Sequence, residues 1–541
     1  MNIMKYTSNH EKLNISEKLD ENKIFINGNN FNFIASNVKS EKYEFLRDEL
    51  KNFLLKKKEI LNDKVEIIML EYELTKPLIS SELVYIDLRY WKNGIIDDNR
   101  FPRDKYTGLF YYPASSLKGM LRDAAEYDEF YKRIENKYVE SKNEYKEIYN
   151  YLFGEIKNDD DGNAGNLRVY PIFFKRTKIE HFTPLDENRT PKLPLSVEAI
   201  PEKEKFYIFL EILLKDKKYE YNDIIKELID FLFTEIGIGS KNRLGYGRAK
   251  KIGEVSDAYK GKYENINFKL GMEDKKYGLK EIKVEFISLD NIHISSGEYK
   301  MEYIDDFVIK DKHGIPFIPS TSFKGALRNA FVNLDFKNIK EIFGNEHDND
   351  NIKKGTVYFN DLKIKYFPVS ITEYEVFYYL NNKKRDEYRV EFNSSIKITS
   401  KVIYIKKSNK KIDFNENIKI NGVTIKTKKI DKDKYLVSPQ DYYYLINNNM
   451  VIKHSNKIDK DSGTASGKDG NIFIYELIPR GTIFETSIII DNGKLNIEEA
   501  EIEELFKKAF LYLSTAGIGG KKSRGSGRIV PLRFYYNSKG E

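Results

Sequence analysis

Two segments of this chain combine a permissive backbone with concentrated positive charge. Gly237-Ile-Gly239-Ser-Lys241-Asn-Arg243-Leu-Gly245-Tyr-Gly247-Arg248 and Gly517-Ile-Gly519-Gly-Lys521-Lys522-Ser-Arg524-Gly525-Ser-Gly527-Arg528 carry glycine at the same four positions and lie 280 residues apart. Glycine admits left-handed backbone and close approach of a partner, so cations set among glycines suit a phosphate chain. No acidic residue stands between Gly237 and Lys251 or between Gly517 and Tyr536. A second cationic pattern also occurs twice, as Pro113-Ala-Ser-Ser116-Leu-Lys118-Gly-Met-Leu-Arg122 and Pro319-Ser-Thr-Ser322-Phe-Lys324-Gly-Ala-Leu-Arg328. Lysine and arginine four apart share one face of a helix, and the Pro-x-Ser/Thr-Ser start favours an N-cap, so backbone N–H groups and lysine converge on one spot.

Carboxylates and histidines offer the remaining chemistry. Asp305, in Ile304-Asp305-Asp306-Phe-Val-Ile-Lys-Asp311, could hold a hydrated Mg²⁺ or Mn²⁺ against a scissile phosphate and help activate a 2′-hydroxyl; Asp306 beside it reads as a surface charge. Asp97, Asp98 and Asp104 occupy the corresponding stretch of the first half without that pattern. Metal-independent cleavage of a phosphodiester would instead use a general base or acid of near-neutral pKa, the chemistry of histidine, of which there are six. His181 and His293 are the better placed, each also readable as a packed or capping residue. His10, His313, His347 and His454 lie in loops or weakly patterned stretches.

These elements recur in one order, which makes the chain a tandem duplication. After the Ser-x-Lys-Gly segments, Leu152-Phe-Gly154 and Gly165 answer Ile342-Phe-Gly344 and Gly355, and Ile200-Pro201 answers Ile478-Pro479. Changes in offset place extra residues in the first copy between Tyr127 and Tyr151 and in the second between Gly344 and Pro479. The second insertion is expected at about 381–470 and could contain an added β-hairpin.

Composition narrows the class. At 541 residues the chain can build two or more cores, and without cysteine it has no disulfide and no thiolate metal site. A net charge of +7 is too small to announce nucleic-acid binding by itself, so the local clusters carry that reading. No apolar run suits a bilayer, which points to the cytoplasm and no membrane partner. Strand-like Val65 to Leu74, Leu167 to Phe174 and Phe206 to Leu214 alternate with helical Ser115 onward and Tyr221 to Thr234. The second half repeats this cycle and ends with a helix from Ile497 to Ser514. The expected fold is α+β, with two tandem ferredoxin-like modules at 61–253 and 281–541, an arm at 1–60 and a linker at 254–280.

Both glycine loops and both Ser-x-Lys-Gly helices resemble the signatures of the RAMP superfamily, the repeat-associated subunits of CRISPR effector complexes, over roughly residues 65–251 and 281–530. The resemblance implies a modified RNA-recognition fold in each module. The second module is similar to the repeated backbone subunit of type III complexes: Asn291-Ile-His293-Ile-Ser-Ser-Gly297 resembles its Leu-His-Ile-Gly-Gly entry, and Ile304-Asp305 its Ile-Asp-x-Pro-Val-Ile-Lys-Asp segment, with Ser295, Ser296 and Phe307 departing from the pattern. It implies CRISPR guide RNA, target RNA and other effector subunits, including the large polymerase-like subunit, as partners. RNA contacts would fall on Ser116, Lys118, Arg122, Ser322, Lys324, Arg328, His293 and the loop residues Gly239, Lys241, Arg243, Gly245, Gly247, Arg248, Gly519, Lys521, Lys522, Arg524, Gly525, Gly527 and Arg528. Metal-dependent target cleavage would fall on Asp305. A metal-independent guide-processing endoribonuclease and a non-catalytic capping or scaffold subunit are the alternatives.

Overall fold

The computed structural model describes residues 40–80, 82–86, 95–104, 109–158, 161–183, 195–215, 218–255, 270, 272–275, 278–297, 304–337, 339–344, 354–380, 392–408, 413–420, 423–431, 433–455, 473–491, 495, 497–522 and 525–532. The chain is α+β, and one plan occurs twice. An N-terminal helix, α1 (Ser40–Leu61), precedes the first copy. That copy runs β1 (Val65–Leu74), α2 (Ala114–Ala125), β2 (Leu167–Val169), β3 (Lys205–Leu213), α3 (Tyr221–Phe231) and β4 (Ala249–Glu254). The second runs β5 (Leu279–Ser288), α4 (Ser320–Asn333), β6 (Val357–Phe359), β7 (Ile483–Asp491), α5 (Glu499–Ala516) and β8 (Ile529–Pro531). The sheets are antiparallel with strand orders β4-β1-β3-β2 and β8-β5-β7-β6, so within each module the fourth strand pairs the first and the third lies between first and second.

The two sheets differ on their outer faces. In β1, Ile68, Leu70, Tyr72 and Leu74 face the helices of their own module, while Val65, Ile67 and Met69 join a core shared with the second module. Both faces are therefore buried, as the nearly continuous apolar run of this strand requires. Phe53 and Leu54 of α1 belong to that shared core. The sequence reading of 1–60 as an arm is thus revised for its second half, which is a packed helix. In β5, Ile282, Val284 and Phe286 are buried, but Glu281, Lys283 and Glu285 alternate with them and form cross-strand ion pairs with Lys275, Glu273 and Lys365. The first copy buries a core of its own, and the outer face of its sheet is covered in addition by α1 and the second module.

Register corrects the insertion. In the first module Lys178–Phe182 pairs Leu195–Ile200, and in the second Val451–Ser455 pairs Phe473–Leu477 in the same relation to the Ile-Pro station. This hairpin belongs to the shared plan. The added residues lie between Lys365 and Met450, beginning and ending earlier than 381–470. They form the continuation of Leu362–Leu380, its partner Phe392–Lys407, three shorter strands and the helix Pro439–Asn448. Of the expected linker, residues 256–269 lie outside the described ones, and Met272–Asp274 pairs along the edge of β5.

Candidate nucleic-acid interface

Each glycine loop begins where a helix ends and closes on the segment that follows the first strand. Gly237 and Gly517 take positive φ at the helix ends and donate back to Leu232 and Leu513. Gly247 N–H then bonds Pro77 O, and Gly527 N–H bonds Asn291 O. A Cβ on Gly239 would stand 2.3 Å from Ile79 O, and one on Gly519 2.3 Å from His293 O. These glycines are required by the fold's own close approaches. The same contacts equate Leu78 with Ile292 and Ile79 with His293, a repeat invisible in the side chains.

The second loop lies on the first module. Gly525 meets Ala114 at the start of α2, and a Cβ added to it would stand 3.2 Å from that of Ala114. Arg528, 3% exposed, binds Asp290 through Nε at 2.5 Å and Nη2 at 2.8 Å, and its guanidinium sits 3.9 Å from the ring centroid of Tyr170. Returning the contact, Arg168 donates from Nε to Thr515 O at 3.0 Å. Lys118 is buried and donates to Leu167 O at 2.8 Å; burial, with Arg168 and Arg122 nearby, pulls its ammonium down to about 7. Lys453 reaches Ser115 Oγ and Arg480 pairs with Asp104 at the same seam. Beneath it, Lys57 of α1, fully buried, pairs with Glu211, which also accepts from Tyr170 OH at 2.9 Å.

Among the described residues, the first loop and α4 have no counterpart docked on them. Lys241 and Arg243 are exposed, and Leu244 is 70% exposed. Arg248 stands at the position of Arg528, but the residue at the position of Asp290 is Lys76, because Thr75 N–H bonds Arg248 O as Leu289 N–H bonds Arg528 O. Arg248 Nε is buried without a partner among the described residues. Lys324 and Arg328 are half-buried on α4, Ser322 is half-buried, and Ser116 and Arg122 on α2 are exposed, Arg122 donating to Tyr149 OH. Lys521 lies over Tyr475 and Phe473, as Lys241 lies over Phe182. Gly245 lies at the exposed tip, and Arg524 lies outside the described residues.

Asp305 is tied to the second module's hairpin. Its N–H bonds Ile474 O at 2.8 Å, and its Oδ2 accepts from Ile474 N–H at 2.6 Å. Asp306 is not a bystander surface charge: Oδ2 lies 2.8 Å from His293 Nε2, and Oδ1 accepts from Ser295 Oγ at 2.7 Å. His293 Nδ1 lies 2.9 Å from Glu476 O, and a carbonyl only accepts, so Nδ1 carries hydrogen.

Sequence reasoning missed two buried carboxylates at equivalent positions. Glu198 accepts from Phe101 N–H, Arg103 and Thr177, and Glu476 accepts from Val308 N–H and Lys310. They pin the aspartate segment to the hairpin in both modules and set Asp98 of the first opposite Asp305 of the second. The signal was present as Glu-x-Ile-Pro, twice. His181 and His454 also share a register, opposite Ser196 and Ile474.

The RAMP superfamily model matches residues 91–250 and 288–530. The chain belongs to this superfamily. Among solved structures, a RAMP-sized portion of it is similar to a chain of type III-B Cmr-beta in the apo state, with 16% identity, a TM-score of 0.32, and 46% of this chain and 96% of that chain covered. A chain of type III-B Cmr-beta bound to cognate target RNA gives 15% identity, a TM-score of 0.32 and the same coverage. No curated protein sequence matches. No helix among the described residues of this RAMP protein is long and apolar enough to cross a membrane.

Proposed function

We propose that this chain is a guide-RNA-binding subunit of a type III CRISPR ribonucleoprotein, a tandem of two modified RNA-recognition folds that holds RNA without cutting it. The observation that supports holding is the contrast between two equivalent arginines. Arg528 is neutralised by Asp290, whereas Arg248 has Lys76 at the corresponding position and a buried Nε with no partner among the described residues, close in sequence to the exposed Lys241 and Arg243. Such a cluster lacks only an anion, and a phosphate chain supplies anions at regular spacing. Lys324 and Arg328 extend the same chemistry to α4.

A resident Mg²⁺ or Mn²⁺ does not fit the aspartate segment. Asp305 commits Oδ2 to a backbone N–H, Asp306 commits both oxygens, and no group of three His, Asp or Glu among the described residues could hold a metal. Cleavage at Asp305 remains the second reading, favoured by its Oδ1, which has no partner among the described residues. Replacing Lys241, Arg243 and Arg248 with alanine tests the first: the slope of log affinity against log salt should fall by about 2, at about 0.7 per phosphate released from a single strand. An unchanged slope in the folded variant refutes this loop as an RNA contact.

A further inference from the structure

The seam between the modules gathers four cations whose charge the contacts described above do not balance. Where the second glycine loop lies on α2, Lys118, Arg168, Lys522 and Arg528 wall a small cleft of about 10 Å³, room for about one water-sized atom or ion and partly open to solvent, with Ala114 and Gly525 at its rim. Four cations line it and no carboxylate does. Three of them are nearly inaccessible: Lys118 is 9% exposed, Arg168 8% and Arg528 3%.

The surrounding acids are engaged elsewhere. Asp290 holds Arg528 by Nε and Nη2, and Glu211 is paired with Lys57. Arg528 Nη1 is buried with no partner, and Lys522 has none among the described residues. The carbonyl of Leu167 already accepts from Lys118 and from Arg168. A water molecule here would meet donors and find no acceptor for its own hydrogens, whereas an anion accepts from every side. Like charges gathered in a poorly solvated place relax in two ways, by shedding a proton or by taking a counter-ion.

We propose that this seam cavity is an anion site, filled by one small inorganic anion, a chloride or a phosphate presenting one oxygen, which latches the second glycine loop to α2. The second module offers an internal contrast. Tyr358, 53% exposed, stands where Arg168 does, and no loop lies on α4. The proposal does not depend on RNA, since the cavity is walled by the two modules alone.

Proton linkage gives the test a second readout. Lys118 is held at about 7, so at pH 8 it is largely neutral, and an anion beside it draws a proton back. The groups facing it are Arg168, Arg122 and Lys522; Asp290 lies behind Arg528, and Tyr170 and Tyr512 are held protonated by burial. The full chain in sodium gluconate at fixed ionic strength is titrated calorimetrically with sodium chloride and, separately, sodium phosphate. Saturable one-to-one binding is expected, with proton uptake at pH 8 that is absent at pH 6, read from heats in buffers of different ionisation enthalpy. Lys522→Met and, independently, Lys118→Met should weaken it at least tenfold, and Lys146→Met, at an exposed position on the helix Lys142–Phe153, should leave it unchanged. A non-saturating response, or one equal in Lys522→Met and wild type, overturns the site as a general salt effect. RNA binding that depends on Lys522 while both inorganic anions fail assigns the cavity to the RNA path and overturns it as well.

Discussion

Arg528 and Arg248 occupy one motif position, and their replacement separates a packing cation from a ligand-facing one. Arg528→Ala removes a two-point bond to Asp290, the stack on Tyr170 and a weak bond to Val169 O. It leaves Asp290, 7% exposed, as a buried charge without its partner. Removing one member of a buried pair costs about 3–5 kcal/mol. At 1.4 kcal/mol per tenfold, that is a hundredfold to several-thousandfold shift in the equilibrium that opens the seam. Arg248 has no acid to strand among the described residues, and Arg248→Ala should cost under about 1 kcal/mol. Urea unfolding of the full chain, with hydrogen exchange at α2 and at residues 517–522, measures both. The double variant Arg528→Met with Asp290→Asn should recover most of the loss, because the stranded charge is gone and the space is filled. Equal destabilisation by the two alanine variants, or a loss at Arg528 within 1 kcal/mol of wild type, would refute the reasoning. So would an Arg528→Ala variant whose RNA salt slope falls as far as that of the first-loop variant.

A protease site placed within 256–269 should sever the chain without separating it, since α1 and the first sheet share a core with the second module; halves that elute apart on size exclusion contradict that core. Asp305→Asn keeps an acceptor for Ile474 N–H and discards the charge, while Asp305→Ala discards both. A structural aspartate predicts that only the alanine variant loses melting temperature and that neither changes RNA cleavage; lost cleavage in a normally melting Asn variant establishes the nuclease reading. Burial lowers Lys57 to about 8 and Lys118 to about 7 against an ordinary 10.5, so between pH 7 and 9.5 the unfolded chain binds more protons and stability rises with pH. Lys118→Met should flatten that rise in urea titrations, and a slope identical to wild type would show Lys118 to be solvated.

The repeat was legible because its stations are fixed by backbone geometry that tolerates few residues. Gly239 and Gly519 must lie against a carbonyl, and Gly165 and Gly355 against the end of the preceding helix, so their identities persist where side chains diverge. The shared hairpin was misplaced because its strands satisfy each other's backbone with almost any sequence, and Lys178–Phe182 shares with Val451–Ser455 only one isoleucine and one histidine. What a cation does was legible least. Lys118 and Arg528 matched the ligand-binding pattern as well as Lys324 and Arg248 did, and only the docking of one module on the other buries the first pair. The decisive difference, Asp290 against Lys76, lies outside every motif and acquires meaning only when Leu289 and Thr75 are seen to hold the same carbonyl.

The seam is a heterologous contact, the loop of one module on the helix of the next, and such contacts repeat until something stops them. Here the second module is built to end the series. Asn360 stands where Tyr170 does, each bonded through its N–H to the third strand, so a further loop would find no ring on which to set its arginine. The outer face of β5 carries Glu281 and Lys283 where β1 carries Ile67 and Met69, so a further helix would desolvate charges already paired across the strands. Lys118 on α2 is thus buried beside the chain's own second loop, while its counterpart Lys324 on α4 is half-buried with no such loop over it among the described residues.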